Sequence, residues 1–229
     1  MALAITVFIQ DGILMASDAL DVSYVRVGET GPFQPFVSHT STHTLLCPNG
    51  AGLSFAGTTT YKNAPLIVSV KEFIRERVKP DTRVDDIPWM LFDHYYSSGE
   101  VPRVSFLLAG YQDGEQKVSK LRLETKACEV MNTKSKGIAW TGEASFLTRL
   151  LMPLHIGEGE ESKLLPKPEM PWGLYTVDEA AKILRFLIDG AGEYASFKAG
   201  LAQAGKLADL LYLTPEGSRF LVKDGKEQQ

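Results

Sequence analysis

From Ala4 to Asp18 the chain alternates with a period of two and folds back on itself. Ala4, Thr6 and Phe8 interleave with Ile5, Val7 and Ile9, so both faces of this stretch are suited to burial. The turn dipeptide Asp11-Gly12 follows. A second apolar run, Ile13-Leu14-Met15-Ala16, then ends in Ser17-Asp18. This pattern predicts a β-hairpin in which both strands belong to a core, with the residues at the head of the first strand held in place.

The rest of the chain continues that sheet and interrupts it twice with helices. Val22 to Val27 reads as a further strand. Residues 28–42, rich in Gly, Pro, Ser and Thr, read as a loop. Thr44 to Cys47 and Ala51 to Ala56 predict a second hairpin across Pro48-Asn49-Gly50. Leu66, Val70, Phe73, Ile74 and Val78 recur at helical spacing up to Pro80, and a second helix is expected from Asp85-Asp86 to Ser98. Thr58-Thr59-Thr60 reads as the N-cap of the first of these, with the helix starting near Tyr61. Val104 to Gly110 is an almost unbroken apolar run, as in a strand covered on both faces. Strands are expected over Lys117 to Glu124, Cys128 to Asn132 and Gly137 to Trp140. A third helix is expected from Gly142-Glu143, carrying Phe146, Leu147, Leu150 and Leu151. Residues 157–173, charged and proline-containing, read as an inserted loop. A fourth helix opens at Thr176 and Glu179, which have capping-box spacing. Leu207 to Leu213 and Arg219 to Val222 close the pattern, and the polar residues 223–229 read as a frayed tail. Two antiparallel sheets packed face to face, each covered by a helix pair, satisfy this order. The expected class is α+β, a four-layer αββα sandwich built as one domain over residues 1–229.

Composition removes several functions. Among 229 residues, 28 acidic against 24 basic side chains give a net charge of −4, which argues against nucleic acid as a partner. Lys134 and Lys136 make only a short basic turn. No apolar run approaches the roughly 18 residues a membrane span needs, and no basic segment precedes the first apolar stretch as in a signal peptide. Cys47 and Cys128 are too few for a disulfide framework and read as small core residues of a reducing compartment. A cytoplasmic protein with no membrane partner is therefore expected. His39 and His43 are four apart in a segment read as exposed loop or strand, about 13 Å apart at strand rise, which does not suit a shared metal ion. His94 and His155 are isolated. No metal or cofactor is expected, and Cys47 lacks a positioned base.

Five local matches in chain order carry a family resemblance. They are Asp11 to Asp18, Gly52-Leu53-Ser54-Phe55-Ala56-Gly57, Trp140-Thr141-Gly142, Thr176 to Ala180, and Ala208-Asp209-Leu210-Leu211-Tyr212. Together they resemble the N-terminal-nucleophile hydrolases of the proteasome β-subunit type, including the bacterial HslV and Anbu. The resemblance implies a site in which an N-terminal hydroxyl attacks an amide carbonyl and the α-amine serves as its base. A Lys lowers the amine's pKa, an acidic residue holds the Lys, and a glycine N–H stabilises the oxyanion. Carried over, Asp18 matches the acidic residue, Gly57 the oxyanion glycine and Thr141 the serine near the nucleophile. The nucleophile position falls on Ala2 and the Lys position on His43. The family's later Asp and Ser fall near Ala195 and Lys198, with Glu193 and Ser196 beside them, in a loop expected over Tyr194 to Gln203.

Alanine has no nucleophile, and histidine near neutral pH is a poor substitute for a lysine charge. The resemblance therefore implies a protein that keeps the fold and a homo-oligomeric, ring-like habit. Its role would be structural or regulatory, with a peptide or small ligand in the cleft. Two alternatives stay open at this level. One is an active amide hydrolase whose nucleophile is not at residue 2; cleavage before Thr6 would expose a threonine but would truncate the first strand and spoil its geometry with Asp18. The other is an unrelated layered binding module.

Overall fold

The computed structural model describes residues 2–26, 31, 33–38, 42–156, 163–165, 169–199 and 205–228. The N-terminal hairpin forms as its alternation predicts. Strand β1 (Leu3–Ile9) pairs antiparallel with β2 (Gly12–Asp18), Ala4 opposite Ser17 and Phe8 opposite Ile13. Every residue of both strands is buried. The next segment departs from expectation. β3 (Asp21–Arg26) pairs with β4 (Phe33–Ser38), so part of the stretch read as loop is a strand. Its Pro35 stands opposite Tyr24 in a two-stranded ribbon, where a residue without an N–H is tolerated. His39, Thr40 and Ser41 lie outside the described residues.

β5 (Thr44–Leu46) and β6 (Gly52–Gly57) form the second hairpin. The threonines after it do not cap a helix. β7 (Thr60–Tyr61) pairs with β8 (Ala64–Pro65) through Lys62 and Asn63, both at positive φ. Two left-handed residues cannot continue a right-handed helix, so α1 (Leu66–Arg77) starts at Leu66. The Leu66 N–H donates to the Thr59 carbonyl, 2.9 Å away. α2 (Ile87–Tyr96) has Pro88 in its first turn, where no intrahelical donor is lost.

β9 (Val104–Gln112), β10 (Glu115–Arg122) and β11 (Ala127–Val130) follow, then β12 (Gly137–Gly142) and α3 (Ser145–Leu151), which starts later than Gly142. The segment read as an inserted loop contains a strand, β14 (Lys163–Leu165), which pairs with β13 (Leu154–Ile156) just before it. It also contains a short helical turn that buries Trp172. α4 (Val177–Ala199) runs through the stretch expected to be a loop from Tyr194, so Glu193 and Ala195 are helical. Residues 200–203 of that expected loop lie outside the description. β15 (Leu207–Thr214), β16 (Gly217–Lys223) and β17 (Lys226–Glu227) finish the chain. The tail is ordered into the sheet up to Gln228, whose N–H donates to the Leu221 carbonyl at 2.9 Å. Glu227 also pairs with Arg185 of α4 at 2.6 Å.

The strands make two main sheets, β12-β1-β2-β15-β16-β17 and β11-β10-β9-β6-β5. Three apolar clusters separate four layers. Ala4, Phe8, Met15, Leu107, Val118 and Leu211 fill the space between the sheets. Leu53, Phe55, Phe106 and Leu121 pack under α1 and α2. Ile5, Val7, Leu14 and Leu210 pack under α3 and α4. Each of the Val, Leu, Ile, Phe and Met side chains among them contributes roughly 1.5–3 kcal/mol. The alternation seen in the sequence thus serves two cores at once, because β1 is covered by the other sheet on one face and by helices on the other. Among the described residues no helix is long and apolar enough to cross a membrane.

Polar side chains fasten the sheets together at both ends. At one end the Gln116 amide donates to the Ile9 and Gly12 carbonyls of the first hairpin, at 2.8 and 3.1 Å, and accepts from Lys136 at 2.8 Å. At the other, the Thr44 hydroxyl lies 2.9 Å from both Ser17 and Ser54. Lys223 bridges the buried Asp209 carboxylate at 3.1 Å and the Thr44 carbonyl at 3.3 Å.

Candidate functional site

The site is built at the end of the sandwich where β1 begins. Alternation turns Ala2 and Ala4 toward the space between the sheets, because Phe8 on the same face lies in that core. Thr141 stands directly opposite Ala4 on β12, and Ser17 opposite it on β2. Beyond Ser17 comes Asp209 on β15. The inward row across this end is therefore polar where the next row, Ala139, Thr6, Met15 and Leu211, is largely apolar. Thr6 is fully buried within that row, in the middle of β1.

Ala2 is only 2% exposed. Its carbonyl accepts the Glu143 N–H at 3.2 Å. Gly142 makes this approach feasible: at φ +99 it has no side chain, and a Cβ there would lie 1.9 Å from the Ala2 oxygen. Asp18 acts on the same strand head, its Oδ1 accepting the Leu3 N–H at 3.0 Å. Its other oxygen lies so close to Gly205 that a Cβ there would stand 2.4 Å away. Asp18 thus positions the head of β1.

Gly57 ends β6 at φ +145, with the Arg103 carbonyl where a Cβ would be. The Phe55 N–H bonds the His43 carbonyl on the β5 side at 3.0 Å. Two residues on, the Gly57 N–H points to the same edge, past the end of β5. His43 is 5% exposed, so the reading of this residue as exposed loop is corrected. Its ring stands edge-on to Phe55, 5.2 Å between centroids, and Phe55 belongs to the core under α1 and α2. Its neighbour Thr44 is the residue that faces between the sheets. Among the described residues no group of three or more His, Cys, Asp or Glu could hold a metal.

Beside this strand head lies a cleft of about 450 Å³. Gly57 and Thr141 line it; Ala2, Asp18 and His43 do not. The sequence reading missed its other wall, which Lys120 and Arg122 of β10 and Arg103 line. Only part of the signal was in the sequence: alternation puts Val118, Lys120 and Arg122 on one face of a strand, but that this is the face packed into the middle core is known from Val118 in the fold. Burial, and next the Arg122 charge, hold the Lys120 amine below the usual lysine range, with Glu129 pulling the other way. Ser196 and Lys198 lie on α4, and their side chains are outside the description.

No family model and no curated protein sequence matches the chain. Among solved structures, the Gly-1 mutant of Anbu from Hyphomicrobium sp. strain MC1 is similar, with a TM-score of 0.56. The match covers 93% of this chain and 81% of that one at 14% identity. The fold is the proteasome-like αββα sandwich. At that identity the likeness speaks for the architecture alone.

Proposed function

We propose that the chain is a proteasome-type subunit in which N-terminal-nucleophile chemistry is absent. Its end cleft binds a ligand rather than cleaving one, and the protein works in a homo-oligomeric assembly. The observation that carries this reading is Ala2. Counted back from Asp18, the nucleophile position of the resemblance falls on Ala2, a buried residue whose methyl side chain has no lone pair to attack a carbonyl. His43, matched by count to the lysine, packs its ring on Phe55, which supports the same reading. Asp18 and Gly57 keep roles the fold itself needs, one bonding the strand head and the other making room for the Arg103 carbonyl.

The test is intact mass before and after an epoxyketone or β-lactone, reagents that trap N-terminal nucleophiles. The expected result is an unchanged mass. An adduct mapping to the N-terminal peptide would overturn the proposal and make the protein a hydrolase. In the same preparation, native mass spectrometry should give a multiple of the 25.2 kDa subunit.

A further inference from the structure

We propose that the end cleft takes a ligand bearing a free carboxylate, received by Lys120 together with Arg122 and the Thr141 hydroxyl. The inference deepens the binding reading above and rests on it. Lys120 and Arg122 lie on the face of β10 that looks between the sheets and both line the cleft, Lys120 half-buried and Arg122 more exposed.

The acids near the mouth sit in exposed, weak pairs that an incoming carboxylate can replace. Glu124 pairs with Arg103 at 3.4 Å, and Glu129 with Arg122 at 4.0 Å. Among the described residues Lys120 has no carboxylate within ion-pair distance. Three cationic side chains line the cleft against one acid, Glu124. A half-buried ammonium beside a second positive charge gains most from an incoming anion, because water already solvates it poorly.

The chain as a whole carries a net charge of −4, which disfavours a polyanion and favours a ligand with a single acidic end. Ala56, Val104 and Ala144 are among the apolar residues that line the cleft and would meet the ligand's body. The volume lies in the range of small-ligand sites.

The experiment titrates the full chain calorimetrically at neutral pH and low salt. The probes are N-acetyl-dialanine, its C-terminal amide, and succinate. At least one free acid should bind, and the dipeptide acid, if it does, about tenfold or more tighter than its amide. Lys120→Met should abolish acid binding or the preference over the amide, and Lys120→Arg should retain it. Arg122→Gln, at a more exposed position, should weaken it as an independent variant. Binding of the dipeptide acid assigns a peptide end, and binding of succinate alone assigns a small organic acid. Equal binding of acid and amide overturns the proposal, as does no binding of either acid, or acid binding unchanged in Lys120→Met. Loss of acid binding without an N-terminal adduct removes the ligand class and leaves the reading of Ala2 standing. An adduct with acid binding intact does the reverse.

Discussion

A methyl group added at Gly57 would stand 2.3 Å from the Arg103 carbonyl oxygen, on a backbone with φ at +145. Gly57→Ala must therefore shift β6 against β9 and adopt a conformation L-residues avoid. The expected cost is about 1–3 kcal/mol, read as a lower midpoint in denaturant unfolding; an unchanged midpoint would refute the packing described. Cys47 makes the opposite kind of prediction. Burial pushes its thiol up to about 12, so almost no thiolate exists near neutral pH. Iodoacetamide should leave Cys47 unmodified in the folded protein and modify it after unfolding, as peptide mapping would show. Legibility at this scale depended on whether a position could be located by counting. The strand positions of Ala2, Asp18, Gly57 and Thr141 could be, since hairpin register ties each to its neighbours. Lys120 could not: its meaning lies in which face of β10 looks into the cleft, a tertiary fact.

At the N-terminus of α4, Thr176 and Glu179 form the reciprocal cap their spacing announced. The Thr176 N–H and hydroxyl donate to the Glu179 carboxylate, each at 2.9 Å, and the Glu179 N–H returns a bond to the Thr176 oxygen at 3.3 Å. Thr176→Ala should cost about 1 kcal/mol. The Thr176 backbone bond, then its side-chain bond, lower the Glu179 pKa. A carboxylate depressed on folding stabilises above its unfolded pKa, and the contribution fades as pH falls through the folded value. The gap between wild type and Thr176→Ala should accordingly narrow in acid, as paired unfolding curves at neutral and acidic pH would register. Elements with a strong local period or cap were readable in this way. β4, β7 and β8, the β13–β14 pair and the ordered tail were not. They are two- to six-residue pieces whose turn-forming residues look like loop. Their pairing comes from partners that local composition does not reveal. The same holds for the last turns of α4, where helix continued through residues aligned to an expected loop.

Across the whole molecule the Lys223–Asp209 pair joins the β15–β16 hairpin to the opposite sheet through the Thr44 carbonyl. Asp209 is fully buried, and among the described residues one of its oxygens has no hydrogen-bond partner. Removing the lysine strands that charge. Lys223→Met should destabilise the protein by about 3–5 kcal/mol, and adding Asp209→Asn should recover part of the loss; equal damage in the single and double variants would argue that the pair is not the cause. The arrangement also bears on how the cleft can work. With Gln116 fastening one end of the sandwich and the Ser17–Thr44–Ser54 hydroxyls and Lys223 fastening the other, the two sheets have little freedom to shear. The opening between them is then a slot of fixed aperture. A ligand of the kind proposed would be selected by its girth rather than enclosed, meeting a backbone frame set before it arrives and exposed arginine side chains that can still adjust.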